Sequence, residues 1–359
     1  MPNGLSTLAA WEHWLTYTID MNQKFTRKDF LNLSGLGVVS LVGRQLNPVL
    51  NIYAGQQGRV IYERIYTYKE PSFESERVRI HWKDSVFPIS NVVLGHGEPE
   101  HNRIWYKAGT EGYAHSGGIQ PVRTDPNPII SDFPDGGLLA EVTVPYTDAL
   151  WTPGERYQVA YRFYYETTHW IKGLVNGPDN IPYYHILEDK WDLDYYVPAT
   201  HMRIIPESEL SLLSPDVPSI FKRIEVHTKT QTVIAFEYNK PVYMVKAATG
   251  ANFSTGKYLT PPGHHITNYK RPSRHMAAGN LAYNGYDLPG VPWIIYITES
   301  GIAFHGTYWH NDFGKARSHG CINLPSKASK WLYRWTLPSV PYNEQSTYNV
   351  SGTHVDIFK

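Results

Sequence analysis

Short apolar runs separated by turn residues set the pattern of the chain beyond residue 57. Val60-Ile61-Tyr62, Val78-Arg79-Ile80 and Val92-Val93-Leu94 read as strands, and Ile104-Trp105-Tyr106-Lys107 leads into Gly112-Tyr113-Ala114-His115. β-branched and aromatic residues dominate these runs, which suits a half-buried pleated surface. A Pro- and Asp-rich stretch over 123–135 reads as a linker. A second aromatic set follows over 136–206, with candidate strands at Tyr161-Arg162-Phe163-Tyr164-Tyr165, His169-Trp170-Ile171, Pro182-Tyr183-Tyr184-His185 and Tyr195-Tyr196-Val197-Pro198-Ala199. Pro206, Pro215 and Pro218 mark another linker. From Lys222 apolar and charged positions alternate: Ile224 and Val226, then Thr232 to Phe236, a turn at Asn239-Lys240, and Val242 to Ala247. That alternation predicts a hairpin. Thr260-Pro261-Pro262-Gly263 is a further turn, and Trp293 to Ile297 and Ile302 to Phe304 flank the turn Glu299-Ser300-Gly301. Ala328, Trp331, Leu332 and Trp335 fall at helical spacing and predict one amphipathic helix, stopped by Pro338. His354 to Phe358 reads as a closing strand. The expectation is a mainly β chain with units at 58–122, 136–206 and 219–359, the last alone carrying a clear helix.

Composition narrows what these units do. Lys plus Arg equals Asp plus Glu at 33 each, so no broad cationic surface for nucleic acid is expected. The 27 Tyr and 11 Trp, with 26 Pro and 28 Gly, favour short strands and turns over long helices. One cysteine excludes an internal disulfide and a multi-thiolate zinc site. Near the start, Thr26-Arg27-Lys28-Asp29-Phe30-Leu31 resembles a twin-arginine export signal with Lys28 in place of the second arginine, and a moderately apolar run follows from Leu33 to Val42. That run is too short for an ordinary membrane span. Residues 1–45 therefore read as an export signal or membrane anchor, with Met21 a candidate start; an amphipathic helix inside the first unit is the alternative. Export would place the protein at the cell envelope.

The chemistry concentrates between Phe304 and Leu324: His305-Gly306-Thr307, Tyr308-Trp309-His310, then Ser318-His319-Gly320-Cys321-Ile322-Asn323. A free thiol with a pKa of about 8.5 is only slightly ionised at neutral pH and needs a base to become a nucleophile. His305, at a strand end, is the candidate base. Gly320 permits close approach of backbone to a ligand, and the amides of Gly320 and Cys321 are candidate oxyanion donors. Three readings compete. Cys321 is a buried inert thiol among core histidines, a zinc ligand together with His305, His310 and His319, or a nucleophile. Short zinc-ligand spacings are lacking, and the density of His and Gly around the cysteine favours nucleophilic catalysis.

His305-Gly306-Thr307, a loop, then Ser318-His319-Gly320-Cys321-Ile322-Asn323 resembles the signature of the L,D-transpeptidase catalytic domain, the YkuD family. The resemblance extends across roughly 222–359 and implies a β-sandwich-like domain. Asn323 stands where many members carry arginine. By position the resemblance implies Cys321 as nucleophile and His305 as proton acceptor and donor. Gly320, His319, Ser318, Gly306 and Asn323 would support the oxyanion site and pocket. Tyr308, Trp309 and Phe313 are substrate-groove candidates, and Asp312 or a main-chain carbonyl would orient a histidine. Such enzymes attack a peptidoglycan tetrapeptide stem, release D-alanine through a thioester and pass the acyl group to the amine of a neighbouring stem, giving a 3→3 cross-link. Neither cofactor nor metal is implied. An L,D-carboxypeptidase using the same site and a non-catalytic wall-binding protein are the alternatives. Trp105-Tyr106-Lys107 followed by Gly112-Tyr113-Ala114-His115 resembles the end of a bacterial SH3-like domain, a small β-barrel, and 136–206 resembles a diverged second copy; both are candidate binders of cell-wall glycan.

Overall fold

The computed structural model describes residues 55–155, 158–178, 180–281 and 285–359; the segment read as export signal or anchor lies outside them. The alternation beginning at Lys222 produces the strand Lys222–His227, in which Lys222, Ile224 and Val226 are buried and the residues between them are only partly covered. It pairs with Thr232–Glu237, which turns into Lys240–Lys246. The turn residues are Tyr238 and Asn239, at φ 48° and 67°, one position earlier than the sequence suggested. Two left-handed residues give the hairpin a twist that matches its strands. His354–Phe358 runs parallel to Lys222–His227, and Gly263–Ile266 completes a five-stranded sheet.

A second five-stranded sheet is ordered Ile322–Leu324, Ala303–Gly306, Tyr286–Tyr296, Tyr269–Ala278 and Thr347–Tyr348. Ile224, Val226 and Val355 of the first sheet share one core with Trp293, Phe304 and Ile322 of the second. The helix Ser326–Trp335 contributes Leu332 and Trp335 to that core. The domain is thus a β-sandwich with its one long helix just after the cysteine. Two buried lysines close the helix end. Lys222 Nζ donates to the carbonyls of Leu213 (2.9 Å) and Trp335 (3.2 Å), and Lys270 Nζ to those of Tyr333 (2.5 Å) and Thr336 (2.8 Å). Such donors satisfy carbonyls at the helix end that lack partners within the helix. Burial lowers both lysine pKa values, and Lys222 lowers Lys270 further.

Residues 57–122 and 138–204 each form a seven-stranded antiparallel sheet. Numbered from its own start, each runs in the order third, second, sixth, fifth, fourth, first, seventh. A single-turn 3₁₀ helix, Ser116–Gly118 in one and Ala199–His201 in the other, precedes the last strand. The chain therefore carries one topology twice. The second unit is joined to the C-terminal domain through apolar packing: its Leu139, Trp170 and Ile205 lie in that domain's core. A fully buried Leu or Ile contributes about 1.5–3 kcal/mol, so this seam is a substantial attachment. Polar contacts add to it: Asp189 meets Arg271 at 2.8 Å and Arg274 at 3.0 Å. The first unit reaches both others through the buried Arg59, which donates to Tyr308 O (2.9 Å) and ion-pairs with Asp84 (2.8 Å), itself bonded to Arg162 (3.0 Å). Among the described residues no helix is long and apolar enough to cross a membrane.

Candidate active site

Ala303–Gly306 and Ile322–Leu324 run parallel, with Phe304 opposite Ile322 and His305 opposite Asn323. This register places Cys321 at the bend leading into its strand, with His305 on the neighbouring one. Cys321 is partly exposed, and its Sγ lies 3.8 Å from Gly301 O. His305 is 3% exposed, with Nδ1 at 2.9 Å from Gly306 O. A carbonyl only accepts, so Nδ1 carries the proton and Nε2 is left bare. Burial lowers His305 to about 4, partly offset by that hydrogen bond. Burial also pushes the Cys321 thiol up to about 11. At neutral pH the site therefore holds a neutral thiol and a neutral imidazole. The carbonyl of Gly306, not Asp312, orients the base.

The bend before the cysteine is fixed by two hydroxyls. Ser318 Oγ accepts from the Gly320 N–H (3.1 Å) and donates to Cys321 O. Thr260 Oγ1 donates to Gly320 O at 2.8 Å and accepts from the Gly250 N–H at 2.9 Å. Gly320 has φ +114°, a backbone that disfavours side chains, and a Cβ there would stand 2.6 Å from Ile302 Cδ1. These bonds correct one expectation: the Gly320 amide faces Ser318 and is not an oxyanion donor. The Cys321 N–H donates to no protein group among the described residues. It belongs to the peptide whose carbonyl Thr260 holds, so that carbonyl and the N–H point in opposite directions within one plane. Gly306 is buried for a different reason: a Cβ would meet Pro292 Cγ at 2.7 Å and Ser326 Cα at 3.2 Å.

The remaining sequence candidates divide. His319 is exposed, and its ring stacks on Phe253 (4.9 Å), edges Tyr258 (4.5 Å) and approaches Tyr286 (6.0 Å). These three aromatics, absent from the sequence-based site, form the mouth. Burial raises the Tyr286 hydroxyl and the nearby Cys321 raises it further. The Trp309 ring lies 5.6 Å from that of His305, and Phe313 lies 5.1 Å from His310. Tyr308 lies at the junction with the second unit, away from His319. It is 3% exposed, donates to Pro289 O (3.0 Å) and packs 5.4 Å from Tyr164 of the second unit. Asn323 is buried beneath the site, its amide 3.0 Å from His310 Nε2. Burial lowers His310 to about 3, with Arg317 adding to the effect. Burial alone would raise Asp312, but hydrogen bonding from His101 of the first unit (2.9 Å) and the charge of Arg317 hold it below its usual value. His305, His310, His319 and Cys321 thus have separate partners. Among the described residues no three His, Cys, Asp or Glu side chains converge as metal ligands would.

Residues 222–357 match YkuD, the L,D-transpeptidase catalytic domain. No curated protein matches the chain. Among solved structures, an L,D-transpeptidase from Mycobacterium smegmatis is 21% identical over 39% of this chain and 59% of its own, with a TM-score of 0.32. The catalytic domain of an E. faecium L,D-transpeptidase is 21% identical over 38% of this chain and 96% of its own, at 0.30. L,D-transpeptidase 3 from Mycobacterium tuberculosis, in complex with a faropenem-derived adduct, is 18% identical over 48% and 76%, at 0.31. The chain spans less than two thirds of the length of the first of these.

Proposed function

We propose that this chain, whose residues 222–357 match the L,D-transpeptidase catalytic domain, is an acyltransferase that cross-links peptidoglycan stem peptides. The observation that carries the reading is the register of two adjacent parallel strands, which sets a partly exposed Cys321 thiol beside the strand of His305, whose Nδ1–H is bound to Gly306 O. Because both groups rest neutral, the thiol is deprotonated as it attacks and not beforehand. Cys321 Sγ adds to the carbonyl between the third and fourth residues of a tetrapeptide stem, and its proton passes to His305 Nε2. The oxyanion is met by the Cys321 N–H; one such donor contributes about 3 kcal/mol. The C–N bond breaks as His305 returns the proton to the departing D-alanine amine, leaving a thioester. An amine of a second stem then attacks, gives its proton to Nε2, and the sulfur departs and is reprotonated. The product is a 3→3 cross-link. The covalent intermediate divides one amide exchange into two easier steps.

On this reading the two seven-stranded units are SH3-like modules that hold wall glycan near the site, and residues 1–45 direct the enzyme to the cell envelope. Incubation with tetrapeptide-stem muropeptides tests the reaction. Cross-linked dimers with released D-alanine are the expected products; tripeptide stems alone would mean hydrolysis by a carboxypeptidase, and unchanged muropeptides would refute the enzyme reading.

A further inference from the structure

A crevice of about 420 Å³ opens where the two modules meet the catalytic domain. Trp309 forms one wall, and its ring is the neighbour of the His305 ring at 5.6 Å. Asp287 forms another, on the opposite face of its strand from Tyr286. The first module supplies Arg59 and Lys83, the second Tyr161 and Arg162. Most of these walls would be missing from an isolated catalytic domain.

The crevice offers charges of both signs. Asp287 accepts from the Tyr161 hydroxyl at 3.0 Å and is paired with His275. Arg162 donates Nε and Nη2 to Asp148 and Nη1 to Asp84, three of the five N–H groups a guanidinium carries. Lys83 is half-exposed and its partner Glu63 is more exposed still, a pairing that solvent screens. A ligand that carries an ammonium and a carboxylate close together fits such a lining.

We infer that this composite crevice is the acceptor subsite, taking a zwitterionic amine-bearing stem; the inference rests on the transpeptidase reading above. The chemistry sets the side of approach. The attacking amine must deliver its proton to His305 Nε2, so it comes from the His305 side, where Trp309 and the crevice lie. The donor enters over the mouth aromatics beside His319. The ammonium, held near Asp287, loses one proton to water. Its second proton passes to Nε2 as the N–C bond forms, then to the sulfur as the C–S bond breaks. Arg162 and Lys83 hold the carboxylate.

The test uses the full chain, a synthetic tetrapeptide donor and D-methionine as acceptor, with D-methionine methyl ester as the control that lacks the carboxylate. Cys321 acylation by a carbapenem, which needs no acceptor, is measured in parallel. Lys83→Glu and Arg162→Gln are expected to raise the acceptor KM about tenfold and to erase the preference for the free acid over the ester, while Arg162→Lys restores part of both. The acylation rate is expected to hold. An unchanged acceptor KM in both variants, or a parallel loss of acylation in them, would overturn the inference. A wild-type protein that no carbapenem acylates would overturn the functional reading itself, and the subsite with it.

Discussion

His305 and His275 are buried almost equally, at 3% and 2% exposure, yet their surroundings drive them in opposite directions. His305 sees one carbonyl, and burial lowers its pKa to about 4. Burial would lower His275 too, but Glu188 of the second module, at 2.7 Å, and Asp287 raise it above its ordinary value. Partners, not depth, decide the direction of the shift. The edge beside Cys321 keeps its histidine neutral, with Nε2 able to accept a proton. At the seam between the second unit and the C-terminal domain, Glu188 and Asp287 favour the protonated form of His275 and join the two units through it. One residue type is thus driven in opposite directions at the candidate site and at the seam.

The largest separation between the two regions comes from substitution. Cys321→Ala abolishes acylation, and His305→Gln lowers its rate by about 10³-fold, as expected on losing a positioned general base. His275→Gln leaves acylation per folded molecule within a few-fold but strands Glu188 and Asp287, costing about 3 kcal/mol in denaturant unfolding. If His275→Gln silences acylation in a stable protein, the division between edge and seam fails.

A pH series sharpens the same contrast. With the thiol near 11 and His305 near 4, acylation is expected to stay flat from about pH 6 to 9 and to fall only as His305 protonates. A rate that climbs steeply near pH 7 would indicate a thiolate formed in advance. The seam behaves differently. His275 has a raised folded pKa, so its contribution is complete below its unfolded value of about 6.5 and is lost as pH rises through the folded one. Glu188 is shifted down: burial opposes this, but His275 and the Lys190 and Trp191 amides outweigh burial. Its contribution is present above about pH 4.3 and fades as pH falls. The stability lost on His275→Gln is therefore expected to be greatest near pH 5.5 and smaller at pH 9.

Smaller effects belong to the bend at the cysteine. Gly320→Ala meets both the positive φ and the Ile302 contact and is expected to cost about 1–3 kcal/mol, with roughly tenfold slower acylation. Thr260→Val frees the Gly320 carbonyl, for a loss of about 1 kcal/mol and a several-fold slower acylation. No effect of either on acylation would mean that the peptide plane does not set the oxyanion donor.

Which parts of this were legible follows from distance along the chain. His305 and Cys321 share one short segment, and the pattern around them carries its own chemistry. The mainly β architecture shows in the density of Tyr, Val and Ile, and the helix in the spacing of Leu332 and Trp335. Thr260 was legible only as a turn residue, because its bond to Gly320 spans 60 positions. Phe253, Tyr258 and Tyr286 reach His319 from dozens of positions away along the chain and carry no local mark. The strand Tyr269–Ala278 escaped notice because its buried positions include Lys270, Ser273 and His275, polar residues whose partners lie on other elements. The burial of Tyr308 was hidden for the converse reason: nothing near it in sequence reveals that Tyr164 and Arg59 cover it.

Intact-mass measurement of the full chain after incubation with a carbapenem tests the central claim most directly. The wild type is expected to gain one covalent adduct, His305→Gln to gain it about 10³-fold more slowly, and Cys321→Ala to gain none. An adduct on Cys321→Ala, or none on folded wild type, would contradict the assignment of Cys321 as the acyl-carrying residue.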